Sequence, residues 1–269
     1  MLDFGPPKRA YDLIFLHANG FNALTYRRVL APLAEEFRIL ALDQRGHGAS
    51  SLATVIEGRI GWDDFRDDLI VLLETLDVRG AVLSGHSMGG ATCLTGAART
   101  PGRARRLVLF DPVILAHEPL SPAAQGPHGG LIEGARRRRA QFASRGDAVA
   151  AYLGRGAFRS WPPDMVADYV EGGFRDVPGG GVRLACEPAW EASTFEAQAN
   201  DPWSAFAAIG CPVEILKAEL NSTCRTDGRE EALGAAGRVR IETVAGTSHF
   251  LPMERADLAT ETLRQALRR

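Results

Sequence analysis

Short runs of consecutive apolar residues alternate along the chain with stretches in which apolar residues recur every three or four positions. Six short runs are predicted strands: residues 12–17, 38–43, 81–86, 106–111, 212–218 and 239–244. Continuous apolar runs of this length are typical of parallel strands buried on both faces. Residues 62–76, 88–98 and 256–267 are predicted helices, the first from its single apolar stripe. The alternation predicts an α/β protein with a mainly parallel sheet flanked by helices.

Residues 112–211 interrupt this alternation between the fourth and fifth predicted strands. An unstructured loop of that length is uncommon within a compact domain. Helical patterns at 131–144 and 147–153 are separated from later ones by glycine- and proline-rich joints. We therefore predict that 112–211 form an inserted, predominantly helical cap, and that 1–111 and 212–269 form the core domain.

The composition narrows the class of protein. The chain has 269 residues, 45% of them hydrophobic, and a net charge of −2, which argues against nucleic-acid or anionic-membrane binding. No stretch approaches the roughly 18 apolar residues of a membrane span. The first residues, MLDFGPPKRAYD, lack the apolar stretch of a signal peptide, so a cytoplasmic location is expected.

The four cysteines are not spaced like metal ligands. They are Cys93, Cys186, Cys211 and Cys224, and none forms a C-x-x-C pair. Buried thiols in a reducing compartment are the expected state. The sequence thus predicts neither a metal site nor a disulfide framework.

The strongest chemical signal is the segment Gly85-His86-Ser87-Met88-Gly89. It matches G-x-S-x-G and stands directly after a predicted strand and before a predicted helix, which is the context that this motif requires. The turn would expose the Ser87 hydroxyl at the end of the sheet. Backbone N–H groups at the following helix N-terminus would favour a nearby oxyanion. Ser87 is therefore the candidate nucleophile.

A nucleophilic serine needs a base, and histidine is the usual one. The chain has six histidines: His17, His47, His86, His117, His128 and His249. His249 alone follows the last predicted strand, whose carboxyl end lies at the same edge of the sheet as Ser87. The order of serine before histidine is the order of α/β hydrolases. His249 is the candidate base.

Together these residues resemble the α/β-hydrolase superfamily, in particular its serine esterases and lipases that carry a helical cap. The loop His17-Ala18-Asn19-Gly20-Phe21 resembles the oxyanion-hole loop of that family. The resemblance implies that the N–H groups of Asn19 and Met88 bind the oxyanion. Ala18 stands where the family usually has glycine, so Gly20 or Phe21 are alternatives to Asn19.

A second segment, residues 43–50 (DQRGHGAS), resembles a structural turn of the family. The resemblance implies internal hydrogen bonds from Asp43 and Arg45 and a packing role for His47. Family members also usually begin with an antiparallel pair of strands. Only about ten residues precede the first predicted strand here, so that pair is expected to be absent or shortened.

The third member of the triad is less certain from the sequence. The family usually supplies the acid after the penultimate strand, where this chain has Asn221. Asparagine cannot carry the negative charge that stabilises an imidazolium. Asp111, at the end of the fourth predicted strand, is the favoured acid, because some superfamily members supply it there. Glu219 is the main alternative, and Asp227 or no acid at all are the others.

The resemblance implies an enzyme that transfers an acyl group to water and needs no cofactor. A serine nucleophile indicates a small-molecule ester, thioester or lactone as substrate, cleaved through a Ser-His-Asp triad. A C–C bond hydrolase or perhydrolase with the same triad, or a non-catalytic ligand-binding protein, are alternatives. The basic run 136–139 is interpreted as a solvated face or as a site for an anionic group. A monomer or homodimer is expected.

Overall fold

The computed structural model describes residues 1–6, 10–115, 126–197, 199–226, 228–235 and 237–269, except for the side chains of residues 126–129 and 235. Its main feature is a seven-stranded sheet in the order β1-β3-β2-β4-β5-β9-β10. These strands are β1 (Leu2–Phe4), β2 (Leu13–Leu16), β3 (Ile39–Leu42), β4 (Ala81–His86), β5 (Ala104–Phe110), β9 (Val213–Leu220) and β10 (Val239–Ser248). Each of the six strands predicted from apolar runs is present, which confirms the α/β class.

The sheet is covered on both faces. In β2, Leu13 and Phe15 belong to one hydrophobic cluster, whereas Ile14 and Leu16 belong to a second. Helices α1 (Arg27–Leu30) and α11 (Ala256–Arg268) contribute to the first cluster; α2 (Asp63–Thr75) and α3 (Met88–Arg99) contribute to the second. Because successive side chains of a strand point to opposite faces, such a strand is apolar at every position.

One strand of the main sheet is antiparallel. β1 pairs antiparallel with β3, from Leu2 opposite Ala41 to Phe4 opposite Ile39. The other strand pairs of this sheet are parallel. The antiparallel part at the start of the chain is therefore shortened to a three-residue strand.

The segment between β5 and β9 contains both helices and a small sheet. Its described elements are α4 (Gly126–Arg136), β6 (Gln141–Phe142), α5 (Arg145–Tyr152), α6 (Pro163–Gly173), β7 (Phe174–Asp176), β8 (Val182–Leu184), α7 (Pro188–Glu196) and α8 (Pro202–Ala208). β8 lies between β6 and β7 in an antiparallel sheet. The strands have two or three residues, too few for a visible alternating pattern.

The helix predicted over 131–144 is wrong in its second half. α4 ends at Arg136, and the chain then enters β6, where Phe142 pairs with Val182. Phe142 is buried and packs edge-on against Tyr152 and Phe174. Pairing and packing with distant residues thus decide the conformation here, and these contacts leave no local signal.

The end of this segment packs on the core. Ala205 and Phe206 of α8 lie in the same hydrophobic cluster as Cys93 and Leu94 of α3. The division of the chain at 111/112 and 211/212 stays a prediction.

The other described helices are short. They are α9 (Glu230–Ala235) and α10 (Leu251–Glu254), with 3-10 turns at Ala23–Tyr26, Ala31–Leu33 and Gly156–Phe158.

Within the described ranges, every helix is too short or too polar to cross a bilayer. The four cysteines are free thiols; Cys93, Cys186 and Cys224 are buried, and Cys211 is partly exposed. The same ranges contain no group of three or more His, Cys, Asp and Glu side chains that would hold a metal ion.

Candidate active site

Ser87 occupies a strained turn between β4 and α3. Its φ is 56° and its ψ is −119°, a backbone conformation with positive φ that residues other than glycine rarely adopt. The Ser87 N–H donates to the carbonyl of Phe110 at 3.0 Å, which ties the turn to the end of β5. The strained turn lifts the Ser87 side chain out of the strand at the carboxyl edge of the sheet.

The two glycines of the motif allow close packing around this turn. A Cβ on Gly85 would lie 2.5 Å from the carbonyl carbon of Gly89, and a Cβ on Gly89 would lie 2.3 Å from the oxygen of Leu16. Neither glycine has a positive φ. Their role is therefore to let α3 approach β4 and the end of β2, while Ser87 itself carries the strain.

His249 follows β10 and reaches Ser87. Its Nε2 lies 3.0 Å from Ser87 Oγ, and its Nδ1 lies 2.6 Å from Asp111 Oδ2. These contacts join the ends of β4, β5 and β10. The structure thus brings together the predicted nucleophile, base and favoured acid in the order that acyl transfer requires.

Asp111 is fully buried, and both of its carboxylate oxygens accept hydrogen bonds from the protein. Its Oδ1 accepts from Ala218 N–H at 2.9 Å and from the Ser222 hydroxyl, and its Oδ2 accepts from Thr223 N–H at 3.0 Å. Burial alone would raise the pKa of Asp111, but the contacts with His249, Ser222 and Ala218 outweigh burial and lower it. Asp111 is consequently ionised, and its Oδ2 accepts the Nδ1–H of His249.

Glu219, the main alternative acid, does not contact His249 in this structure. The Glu219 side chain is exposed, and its Oε2 accepts the N–H of Gly246 at 2.8 Å. Asn221, at the usual acid position, is exposed with a φ of 53° in the turn after β9. Asp227 lies outside the described residues.

The loop after β2 contributes the candidate oxyanion site. The N–H groups of Ala18, Gly20 and Phe21 donate to Tyr26 Oη, His47 Nε2 and Ala18 O respectively. Within residues 18–21, the backbone N–H of Asn19 is the one without a partner among the described residues. Gly20 and Phe21 are thus poor alternatives to Asn19. Met88 begins α3, where a helix has no internal acceptor for its first N–H groups.

His47 forms a hydrogen bond with the candidate oxyanion loop, and Asp43 stabilises the turn around His47. His47 is fully buried, donates from Nδ1 to Arg45 O at 2.9 Å and accepts the Gly20 N–H at 3.0 Å. Asp43 accepts the N–H groups of Ala23 and Ala49. Burial, reinforced by the nearby His17, lowers the pKa of His47 to about 3, so its ring is neutral.

Three aromatic side chains pack together beside the site. Phe21 follows the oxyanion loop and Phe250 follows His249; their rings stack with centroids 6.2 Å apart. Trp161 packs on both, at 5.2 and 5.7 Å. Ser87 is left 7% exposed. An aromatic wall therefore lies beside His249, whose ring centroid is 5.6 Å from that of Phe250.

Three of the four arginines in the basic run 136–139 are exposed and have partners at the surface, and Arg138 is the exception. Arg136 and Arg137 pair with Glu196 and Glu133, and Arg139 lies over the Phe142 ring. Arg138 is instead largely covered, near the oxyanion loop, and donates to both oxygens of Glu191 and to Tyr169 Oη. Its charge is thus already compensated by Glu191.

The segment between β5 and β9 contacts the candidate oxyanion loop directly around this ion pair. Asn19 Nδ2 donates to the carbonyl of Glu191 at 3.0 Å, and Tyr169 Oη donates to the carbonyl of Gly20 at 3.2 Å. A Cβ on Gly20 would lie 2.4 Å from Glu191 Oε1, at a φ of +75°. Only glycine fits between the loop and the buried pair.

Two residues that the sequence did not single out for the site lie within it. Tyr26 Oη is 2.7 Å from His86 Nδ1, and His86 Nε2 is 2.7 Å from the carbonyl oxygen of His249. His86 stands next to Ser87 in the motif, so its place near the site could have been inferred from the sequence. The residue type alone gave no indication of what it does there. Tyr26 carried no such signal, because it lies in a 3-10 turn about 60 residues away.

The strand–turn–helix unit around Ser87, set in a mainly parallel sheet, defines the α/β-hydrolase fold. The chain belongs to the alpha/beta hydrolase family, whose sequence model matches residues 13–261. It is 27% identical over 245 residues to 2-(acetamidomethylene)succinate hydrolase of Mesorhizobium japonicum, covering 89% of this chain and 81% of that protein.

Solved structures agree on the fold. The crystal structure of an E-2-(acetamidomethylene)succinate hydrolase superposes with a TM-score of 0.82 at 22% identity, covering 99% of this chain and 94% of that one. The enol-lactonase of Burkholderia xenovorans LB400 superposes with a TM-score of 0.70 at 23% identity, covering 100% and 95%.

Proposed function

We propose that this chain is a serine hydrolase that cleaves a small ester-type substrate (a carboxylic ester, thioester or lactone) through an acyl-enzyme. The observation that carries the proposal is the continuous contact from Asp111 Oδ2 through His249 to Ser87 Oγ, at 2.6 and 3.0 Å. The names of the relatives, which include hydrolases and an enol-lactonase, are consistent with it.

The first half of the reaction forms the acyl-enzyme. Asp111 accepts the Nδ1–H of His249, so Nε2 carries a lone pair towards Ser87. Nε2 takes the hydroxyl proton as Ser87 Oγ attacks the acyl carbon. The N–H groups of Asn19 and Met88 stabilise the developing oxyanion. His249 then gives its proton to the leaving oxygen or sulfur, and the acyl group stays on Ser87.

The second half releases the acid. His249 Nε2 takes a proton from water, and the resulting hydroxide attacks the acyl carbon. The same N–H groups stabilise the second oxyanion, and Ser87 leaves with the proton from His249. These steps use side chains and backbone N–H groups of this chain, together with water.

The cover of the site favours a compact, apolar acyl group. Phe21, Phe250 and Trp161 form an aromatic wall beside His249. The cap would then select the substrate, as lids over concave apolar pockets do. Of the alternatives from the sequence, the non-catalytic protein is disfavoured because a buried aspartate paired to histidine has no evident binding role.

Fluorophosphonate labelling tests the proposal. The probe should form an adduct on Ser87 in the wild-type protein and none in Ser87→Ala, as located by mass spectrometry. A panel of p-nitrophenyl esters, thioesters and lactones should then include a substrate. A folded wild-type protein that neither labels nor turns over any of them contradicts the proposal. Turnover of a C–C substrate, or ester perhydrolysis with peroxide at a higher rate than hydrolysis, identifies the rival activities.

A further inference from the structure

A buried hydrogen-bond chain connects two parts of the candidate active site that come from different elements. The N–H of Ala18, in the oxyanion loop, donates to Tyr26 Oη at 3.2 Å. Tyr26 Oη meets His86 Nδ1 at 2.7 Å, and His86 Nε2 meets the carbonyl oxygen of His249 at 2.7 Å. Tyr26 and His86 are completely buried.

The direction of every bond in this chain is fixed by its two ends. The carbonyl of His249 can only accept, so His86 Nε2 carries a hydrogen. If His86 is neutral, its Nδ1 is an acceptor, and the hydrogen between the two side chains belongs to Tyr26. Tyr26 Oη then has a lone pair for the Ala18 N–H. All four groups are satisfied in one arrangement of protons.

We propose that Tyr26 and His86 are positioning residues, which hold the Asn19 amide and the His249 ring in register with Ser87. Asn19 directly follows Ala18, so a fixed Ala18 N–H limits where the candidate oxyanion donor points. The carbonyl of His249 belongs to the residue whose ring contacts Ser87. His86 itself is bonded to Ser87 through the backbone. One imidazole thus connects nucleophile, base and oxyanion loop.

The surroundings keep His86 in the required neutral form. The ionisable groups around it are Tyr26 on one side, His249 on the other, with ring centroids 4.9 Å apart, and Asp111 beyond His249. Burial, and after it the nearby His249, lowers the pKa of His86 to about 3. Burial also raises the pKa of the Tyr26 hydroxyl. A neutral neighbour is needed because His249 becomes an imidazolium during the proposed reaction.

Nuclear magnetic resonance of the full chain labelled with ¹⁵N-histidine tests the proton arrangement without any substrate. Long-range ¹H–¹⁵N correlations should show one imidazole that stays the neutral Nε2–H tautomer between about pH 5 and pH 9. Its signals should vanish in His86→Gln, which assigns them. A His86 that is the Nδ1–H tautomer, or that titrates in this range, overturns the proposal.

The kinetics of Tyr26→Phe test the positioning role. This kinetic test, unlike the resonance experiment, rests on the proposed function. The substitution removes one hydroxyl and leaves the Ala18 N–H and His86 Nδ1 without a partner. We expect kcat for the best ester, and the rate of fluorophosphonate labelling, to fall about 10- to 100-fold, with KM changed less than about threefold. A kcat within about twofold of wild type overturns the proposal.

Tyr152→Phe is the matched control. Tyr152 lies in the aromatic cluster of the cap beside Phe142 and Phe158, and its hydroxyl has no hydrogen-bond partner among the described residues. Removal of the Tyr152 hydroxyl should leave kcat unchanged. Should Tyr26→Phe fail to fold, the tautomer of wild-type His86 still tests the proton arrangement on which the positioning role depends. Should the wild-type protein hydrolyse nothing, the proposed function fails, and the resonance result still tests the proton arrangement.

Discussion

Asp111 Oδ2 and His249 Nδ1 lie 2.6 Å apart, although 138 positions separate the two residues in the chain. The contact exists because β5, which ends just before Asp111, runs parallel to β9, and β9 runs parallel to β10, which ends just before His249. The carboxyl ends of these strands meet at one edge of the sheet. Asp111 is also held from β9 and the turn after it, by Ala218, Ser222 and Thr223.

The acid of the proposed triad can be identified by two amide substitutions. Asp111→Asn keeps the shape but removes the charge and presents an amide to His249 Nδ1, which favours the wrong tautomer. We expect kcat to fall by about 10⁴-fold. Glu219→Gln keeps an oxygen for the Gly246 N–H and should retain activity within about twofold. The reverse ranking, measured with the same ester, would identify Glu219 as the acid.

Removal of the nucleophile or base should abolish the proposed activity. Ser87→Ala lacks the attacking oxygen, and His249→Ala lacks the group that deprotonates it, so each should lower kcat by about 10⁶-fold. Because members of a triad act as a unit, the double variant should be about as inactive as either single one. A double variant far below both would show that the two residues act independently. Thermal melts confirm that the variants are folded.

The largely buried ion pair between Arg138 and Glu191 should matter for stability, whereas the exposed pair formed by Arg136 in the same basic run should not. Arg138→Met leaves Glu191 buried without its partner, which we expect to lower the free energy of unfolding by about 3–5 kcal/mol. Arg136→Met removes an exposed partner of Glu196 and should cost about 1 kcal/mol or less. Urea denaturation of both variants, from the same basic run, makes the comparison.

A second substitution separates loss of the pair from loss of packing. In Arg138→Met/Glu191→Gln, the unpaired charge is gone, so part of the stability should return. If the double variant is as unstable as Arg138→Met, the side-chain stem of Arg138 contributes by packing. Because Glu191 also contacts Asn19, the single variant should in addition label more slowly with fluorophosphonate.

Mild acid should destabilise the folded protein before the carboxylates titrate. Burial, aided by neighbouring histidines, lowers the pKa of His47 and of His86 from 6.5 to about 3. Below pH 6.5 the unfolded chain therefore binds protons that the folded chain does not. The free energy of unfolding should fall as the pH drops, by up to about 1.4 kcal/mol per pH unit for each histidine.

Urea denaturation at several pH values between about 7 and 5 measures this slope. In His86→Gln one contribution is removed, so the curve should be shallower than that of the wild type. Parallel curves would show that His86 does not titrate differently in the two states. Asp111 acts at lower pH, since its lowered pKa adds stability that is present near neutrality and is lost as pH falls through the folded value.

Much of the fold follows from local patterns. The strands of the main sheet are continuous apolar runs because both faces are covered, and α2 has one apolar stripe because one face is. Ser87 and His249 are recognisable since a short motif and a position after the last strand carry their signal. The small sheet formed by β6, β7 and β8 has no such pattern and escaped prediction.

The sequence by itself determined six of the seven strands of the main sheet, the class of fold, and Ser87 and His249 as candidates for nucleophile and base, because each of these depends on neighbours in the chain. Only the tertiary structure placed Asp111, and not Glu219, against His249, left the backbone N–H of Asn19 in the candidate oxyanion loop without a partner among the described residues, and placed Tyr26 against His86. These relationships join residues far apart in sequence. They depend on which strand ends share an edge and which polar groups meet when water is excluded, and local sequence does not encode either.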